Sequence, residues 1–176
     1  MVNGVDISQY QGLVDFNTLL DEIDFVWVRA NYGTPNSSQV LNIDSMYERN
    51  KTLVRHVGIA HGFYHFAYPQ YNTAQSEALY FASIVDLQEG ELLALDFEEP
   101  CADPVGWCLT FLNTLSNSFN GYKPLIYMNS STANSYDWSP VISGDYGAWI
   151  AQYNGSQSMP VTKVLFLSYI LSIFKT

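Results

Sequence analysis

Two acidic side chains at the end of one apolar run have a spacing that suits sugar-bond chemistry. Asp96 and Glu98 directly follow Leu92–Leu95. Residues two apart on a strand share a face, with Cα atoms about 6.6 Å apart, so both carboxyl groups point to the same side. Crowded carboxyl groups repel each other, which raises at least one pKa and keeps a proton available near neutral pH. A proton-donating carboxylic acid beside an ionised one is what cleavage of a glycosidic bond requires.

A third acid, Asp6, lies within another strand pattern, Gly4–Ser8. A lone Asp-x-Glu motif more often marks a solvated strand end than a catalytic site. Here Asp6 has the same placement on a second strand, which favours a catalytic site. The carboxyl ends of parallel barrel strands form one mouth, so we expect the three acids to converge there. Tyr64 lies on a predicted strand in a position whose side chain could face the same mouth. A tyrosine buried in the core is an equally good interpretation of this residue.

Other chemistries find less support in the residues. His61 and His65 are four apart on a predicted strand, but no third ligand stands in register for zinc. Cys101 and Cys108 have no evident histidine partner, and no Gly-x-Ser-x-Gly elbow occurs. The sequence therefore predicts no metal and no cofactor.

The elements that must position the acids alternate along the chain. Short apolar runs predict strands, and the stretches between them have helical spacing or capping residues, which indicates βαβ units and a parallel sheet. The strand patterns are residues 4–8, 25–31, 58–67, 92–98, 124–129 and 146–153, and the helical ones are residues 14–23, 42–57, 73–87 and 103–115. Asp44 and Asp103 are the predicted helix caps.

This alternation fits either a TIM-like barrel or an open doubly wound sheet. The open sheet would usually carry a glycine-rich phosphate loop after its first strand, and Asp6–Gly12 has no such loop. The barrel is therefore favoured. A full barrel normally needs about 200–250 residues, so this α/β fold of 176 residues is predicted to be one domain, compact or incomplete.

Charge and hydropathy exclude several partners. The net charge is −10 with only seven Lys and Arg residues, which argues against nucleic acid and anionic membranes. Val164–Phe174 is apolar but too short to span a bilayer. Met1–Asp6 has no basic region and no apolar core, so no signal peptide is predicted.

Five motifs, in the same order along the chain, resemble glycoside hydrolase family 25, the muramidases of bacteriophage endolysins and bacterial autolysins. They are Gly4–Gln11, Gly62–Phe66, Leu95–Glu98, Pro124–Tyr127 and Trp149–Tyr153. The resemblance implies a modified TIM-like (β/α)5β3 barrel and a single catalytic domain over residues 1–176. We expect no separate cell-wall-binding domain.

The same resemblance implies the substrate and the site. The substrate would be the glycan strands of peptidoglycan, cleaved at the β-1,4 bond between N-acetylmuramic acid and N-acetylglucosamine. Glu98 would be the general acid, Asp96 would orient the 2-acetamido group, and Asp6 would complete the acidic cluster. Tyr64 would bind substrate or stabilise charge, and the remaining groove residues would be Tyr127, Trp149 and Gln152. Retention or inversion of configuration stays open.

The C-terminal residues depart from the family pattern. Lys163–Thr176 stands where family members usually carry a Trp-Gln-Tyr segment and a strand with an Asp near Asn, so the barrel is expected to be incomplete. Part of Val164–Phe174 would add a late strand, and the open barrel edge could pair two copies into a homodimer. Without a signal peptide, an endolysin-like protein would stay in the host cytoplasm and reach the bacterial wall after release.

Two other functions remain open at this point. One is a non-catalytic barrel that binds wall sugars. The other is a hexosaminidase acting on chitin-like chains.

Overall fold

The computed structural model describes residues 3–33 and 42–151. Its core is a curled sheet of seven strands. The strands are β1 (Gly4–Ile7), β2 (Phe25–Tyr32), β3 (Asn42–Ile43), β4 (Ala60–Phe66), β5 (Leu92–Asp96), β6 (Leu125–Asn129) and β7 (Gly147–Ala151). Six of them agree with the strand patterns of the sequence, and the two-residue β3 was not predicted.

Helices alternate with these strands, as the sequence predicts. They are α1 (Phe16–Leu19), α2 (Tyr47–Val57), α3 (Ala74–Ile84), α4 (Pro104–Ser118), α5 (Ser130–Ser135) and α6 (Ser139–Ser143), and a 3₁₀ turn covers Gln9–Gln11. The Asp103 side chain caps α4 by accepting a hydrogen bond from Gly106 N at 3.0 Å. Thr73 caps α3 in the same way through Ser76 N.

The strand order identifies the architecture. The strands pair in the order β1-β2-β4-β5-β6-β7, all in parallel, and β3 adds to β2 in the antiparallel sense. A doubly wound sheet would reverse its order at a switch point, whereas here each parallel strand lies beside the preceding one. The predicted incomplete TIM-like α/β barrel is therefore confirmed.

Alternation along the strands produces two apolar layers. The larger core lies between the sheet and the helices and includes Ile7, Leu93, Leu95 and Phe97. A smaller cluster fills the concave side of the sheet, with the residues Trp27, Tyr64, Leu92, Ala94 and Leu125. The concave cluster therefore forms a floor beneath the carboxyl ends of the strands.

A polar network is buried beside the larger core. Glu77 of α3 is fully buried and accepts hydrogen bonds from His65 Nε2 at 2.7 Å, Asn72 Nδ2 at 2.8 Å and Tyr68 N at 3.1 Å. Nδ1 of His65 lies 3.0 Å from Oδ1 of Asn31 on β2. The network, which we call the Glu77 network, ties β2, β4 and α3 to the loop that follows β4.

Two sequence predictions concern membranes and the chain's last residues. Among the residues that the structure describes, every helix is too short or too polar to cross a bilayer. The predicted strand within Val164–Phe174 lies outside the described residues.

Candidate active site

A pocket of about 140 Å³ opens on the concave side of the sheet, at the carboxyl ends of the strands. Five different strands contribute to it, β1, β4, β5, β6 and β7, together with Glu98, which lies two residues after the end of β5. Its lining residues are Asp6, Tyr64, Asp96, Glu98, Tyr127 and Trp149. The structure thus brings together six of the seven residues that the sequence singled out. The seventh, Gln152, lies outside the described residues.

Strand register explains why three of these side chains meet. Asp96 of β5 pairs with Tyr127 of β6, and Tyr127 pairs with Trp149 of β7, so the three form one row across the sheet. Residues paired in this way lie side by side on one face. Backbone hydrogen bonds extend the sheet past Asp96, since Phe97 N donates to Tyr127 O at 2.9 Å. Glu98 is therefore held two residues beyond Asp96, above the row.

Asp6 and Tyr64 enter the pocket from the other half of the sheet. Asp6 pairs with Trp27 on β2, and Tyr64 pairs with Ala94 on β5. Burial, followed by the charges of Asp6 and Asp96, raises the pKa of Tyr64 far above its ordinary value. The Tyr64 hydroxyl therefore stays protonated and able to donate a hydrogen bond.

An aromatic cluster forms one side of the pocket. Trp149 stacks on Trp27 with ring centroids 5.2 Å apart and an interplanar angle of 19°. Tyr127 meets Trp149 edge-on at 4.6 Å. Trp27 was not among the predicted site residues. It pairs with Asp6 across neighbouring strands and so faces the same side of the sheet, which could have indicated it. Its ring is buried, so it supports Trp149 from below.

The Asp96 and Glu98 carboxyl groups are coupled. Burial, followed by the charges of Glu98 and Asp6, raises the pKa of Asp96 well above its ordinary value. Partial burial also raises the pKa of Glu98, against the effect of a hydrogen bond between the two side chains. A hydrogen bond between two carboxyl groups needs one proton. Burial disfavours the charged form of Asp96 more strongly than that of the more exposed Glu98.

A buried ion pair, missed by the sequence analysis, lies beside the acids. Arg29 Nε donates to Asp44 Oδ2 at 2.8 Å, and both side chains are at least nine-tenths buried. The prediction that Asp44 is the N-cap residue of a helix is wrong, because α2 begins at Tyr47 and its N-cap residue is Met46. Asp44 does accept a hydrogen bond from Met46 N, but its other oxygen is taken by Arg29 and by Gln9 N.

The two strand histidines have carboxylate partners of their own. His61 Nε2 lies 2.9 Å from Glu91 Oε1, and His65 belongs to the Glu77 network. Both face away from the concave side of the sheet. Within residues 3–33 and 42–151, no group of three or more His, Cys, Asp or Glu side chains could hold a metal ion.

Comparison with known proteins gives one family. The model of glycosyl hydrolases family 25 matches residues 5–168. Lysozyme M1 of Streptomyces globisporus is 31% identical over 83 residues, which is 47% of this chain and 26% of that protein. The chain thus spans about a quarter of the length of that curated relative.

Solved structures of the same kind superpose on most of the chain. The CTP1L endolysin has a TM-score of 0.73 at 29% identity, over 90% of this chain and 55% of that one. The bacterial lysozyme from Streptomyces coelicolor has a TM-score of 0.74 at 22% identity, over 91% of this chain and 78% of that one. The muramidase from Acremonium alcalophilum has a TM-score of 0.70 at 25% identity, over 92% of this chain and 82% of that one.

Proposed function

Because the chain belongs to glycosyl hydrolases family 25, we propose that it is a muramidase. Its substrate is the glycan strand of peptidoglycan, cleaved at the β-1,4 bond between N-acetylmuramic acid and N-acetylglucosamine. The observation that carries this proposal is the pocket in which a hydrogen-bonded pair of carboxyl groups faces a stacked aromatic cluster. The pair supplies acid chemistry, and flat aromatic faces suit sugar rings.

Glu98 is the general acid in this proposal. It is the more exposed member of the carboxyl pair, so it is the one that reaches the glycosidic oxygen. The proton held by Asp96 moves to Glu98 along their hydrogen bond, and Glu98 passes it to the oxygen as the bond to C1 breaks. Water then adds its hydroxyl to C1, and its remaining proton returns to the carboxyl pair. One proton is thus used and restored in each turnover.

Asp96 has a second task once its proton has left. The ionised carboxylate then accepts the N–H of the substrate's 2-acetamido group and stabilises the positive charge that develops at C1. Asp6 lines the same pocket and adds a further negative charge near that centre. An acetamido group held in this way can assist at C1 through its own carbonyl oxygen, and such substrate assistance is one of the exceptions to the two-carboxylate scheme of glycoside hydrolysis.

The remaining lining residues bind the sugar. Trp149 presents its ring to one saccharide, with Trp27 below it and Tyr127 at its edge. Tyr64 donates a hydrogen bond to a substrate oxygen. Gln152, which follows Trp149 by three residues, stays a candidate for the same groove.

A turbidity assay on purified peptidoglycan tests this function. Hydrolysis should lower the turbidity and release new reducing ends at N-acetylmuramic acid. Binding to the wall without loss of turbidity would support the non-catalytic sugar-binding alternative. Release of soluble sugars from chitin, but not from peptidoglycan, would support the hexosaminidase alternative.

We expect the pH profile of hydrolysis to lie at higher pH than it would if the two carboxyl groups had ordinary pKa values. Activity needs one proton on the Asp96–Glu98 pair. Because the pKa values of both members are raised, that proton is lost only as the pH rises above the ordinary carboxyl range of about 4. As the pH falls, a second proton joins the pair and activity is lost again. A plot of kcat/KM against pH checks this, and a basic limb near pH 4 would contradict it.

The site of action follows from the proposed substrate. The endolysin-like route, in which the protein stays in the host cytoplasm and acts on the bacterial wall after release, is supported by the similarity to the CTP1L endolysin. That the matched residues 5–168 belong to one catalytic domain also stays part of the proposal.

Homodimerisation stays a prediction. Among the described strands, β1 pairs only with β2 and β7 pairs only with β6, so each has one edge without a described partner. Unpaired edges favour association between chains. Light scattering should show either a mass of two chains or a poorly soluble monomer, and a stable, monodisperse monomer at high concentration would contradict the prediction.

A further inference from the structure

The row of paired residues that contains Asp96 continues across the sheet on the other side of this acid. Asp96 pairs with Phe66 of β4, and Phe66 pairs with Tyr32 of β2. Tyr127 and Trp149 occupy the two corresponding places on β6 and β7. Because residues paired in this way lie side by side on one face, Asp96 is flanked by two aromatic residues on each side.

A bulge in β2 brings Tyr32 to this face of the sheet. The register of β2 against β4 shifts after Arg29, which pairs with the pocket residue Tyr64. Simple alternation would turn Tyr32 toward the helices, because it lies three residues after Arg29. The extra residue of a bulge reverses the alternation, and bulges near active sites commonly redirect a side chain in this way. Tyr32 therefore shares the concave side of the sheet with Phe66.

Two further rings adjoin these two residues. Tyr68, in the loop after β4, has its ring centroid 5.3 Å from that of Phe66. The rings of Tyr10 and Tyr32 both lie 4.9 Å from the central guanidinium carbon of Arg29, which places Tyr10 beside Tyr32. We call this group the Phe66 platform, and its members are Tyr10, Tyr32, Phe66 and Tyr68.

Packing of the apolar core does not account for the Phe66 platform. Within the part of the chain that the structure describes, the two apolar clusters include none of its four rings. Tyr10 is 79% exposed, and the other three side chains are partly exposed. Apolar side chains that are grouped together in contact with water usually mark a binding surface.

Continuity with the pocket indicates which ligand would cover the platform. Ala67 N donates a hydrogen bond to Asp96 O at 3.0 Å, so the strand that carries Phe66 stays paired with β5 up to the acid. Flat aromatic faces suit the apolar faces of sugar rings, and tyrosine hydroxyl groups can bond to sugar hydroxyls. Trp149 and Tyr127 offer the same kind of surface on the opposite side of Asp96. A glycan strand that crosses the acids would therefore meet aromatic rings on both sides.

We propose that the Phe66 platform is a second saccharide-binding subsite, an inference that rests on the proposed function and extends it. The glycan strand lies across Asp96 and Glu98, with one saccharide against Trp149. A saccharide on the other side of the scissile bond lies against the Phe66 platform. A protein that holds the strand on both sides of the bond cleaves internal bonds of long strands, and its affinity depends on the length of the glycan.

Binding of a soluble glycan of defined length tests this subsite without turnover. The probe is a tetrasaccharide of alternating N-acetylglucosamine and N-acetylmuramic acid without stem peptides, added to the Glu98→Gln protein. The ring signals of Phe66 and Tyr68 in ¹H–¹³C NMR spectra should shift. The ring signal of Tyr136, which contacts Trp138 on the helix side of the sheet, should not. Shifted Trp149 signals with unshifted platform signals would overturn the proposal.

Tyr68→Ala removes one ring of the platform without removing the contacts of its backbone. The backbone N–H of Tyr68, rather than its side chain, bonds to Glu77, so the fold should be preserved. In the Glu98→Gln background, this change should weaken tetrasaccharide binding by about 2- to 10-fold, the usual size of one aromatic contact. Tyr68→Phe keeps the ring and should restore most of the affinity.

Tyr136→Ala is the matched control for this loss. It removes a tyrosine ring that is 46% exposed on the helix side, so tetrasaccharide binding should not change. Equal affinities of the Tyr68→Ala and Tyr68→Tyr136 control proteins are not expected. If Tyr68→Ala binds the tetrasaccharide as tightly as the Tyr136→Ala control does, the platform is not a subsite.

Hydrolysis by proteins that keep Glu98 separates this proposal from the proposed function. Tyr68→Ala should raise KM for long glycan strands more than it lowers kcat, because the platform binds substrate away from the reacting atoms. A wild-type protein that binds the tetrasaccharide on the platform but does not hydrolyse peptidoglycan would refute the muramidase function alone. Hydrolysis of peptidoglycan with the same KM in wild type and Tyr68→Ala would refute the role of the platform alone.

Discussion

Glu98→Gln should lower the rate of peptidoglycan hydrolysis by about 10²–10⁴-fold, the usual contribution of general acid catalysis. Glutamine keeps the shape of the side chain but has no proton to give to the glycosidic oxygen. Its amide can still bond to Asp96, so the fold should be preserved. The measurement is the initial rate of turbidity loss, with thermal unfolding as a check on the fold.

Glu99→Gln is the matched control for this variant. It removes the neighbouring acid, which does not line the pocket, and should change the rate by no more than a few-fold. A Glu98→Gln protein that hydrolyses peptidoglycan at a rate near wild type would show that another group donates the proton. Asp96, as the other member of the carboxyl pair, would then be the next residue to test.

Glu77→Ala should cost several kcal/mol of folding free energy, because each buried hydrogen-bond donor that loses its acceptor costs about 1–3 kcal/mol. The change removes the carboxylate that accepts hydrogen bonds from His65, Asn72 and Tyr68 N. That loss is a large part of the roughly 5–15 kcal/mol that stabilises a typical domain. Thermal or urea unfolding would measure it, with a midpoint lowered by roughly ten degrees or more.

Glu48→Ala is the control for the stability experiment. Glu48 also pairs with a basic side chain, Lys51, at 2.9 Å, but its own side chain is 71% exposed. Surface pairs of this kind contribute less than about 1 kcal/mol. Equal losses in the Glu77 and Glu48 variants would mean that the buried network contributes little to stability.

The sequence predicted most of the fold because the signals were local. The apolar runs before Asp96 and around Asp6 indicate strands, and the two-residue period of a strand gives the direction of each side chain. A parallel sheet then brings the carboxyl ends of these strands to one edge. The predicted cap Asp103 depends only on nearby residues, and the structure confirms it. The gathering of Asp6, Asp96 and Glu98 therefore followed from parity and strand order.

What the sequence did not indicate depends on contacts between distant residues. The partner of Asp44 is Arg29, on a different strand, and a cap pattern near a predicted helix gives no sign of it. Asn31 has the parity of Trp27, yet the bulge after Arg29 turns it toward the helices. The stacking of Trp27 on Trp149 requires the curl of the whole sheet, which no local pattern encodes.

The pocket takes Asp6 from the first strand and Trp149 from the last described strand. During synthesis on the ribosome, the first strand emerges long before its partners in the pocket exist. Contacts between residues so far apart in the chain form late in folding, because closing a long loop precedes any gain from the contact. A nascent chain therefore has no complete site until β7 has left the ribosome and docked on β6. A muramidase built in this way would stay inactive until its last pocket strand has docked.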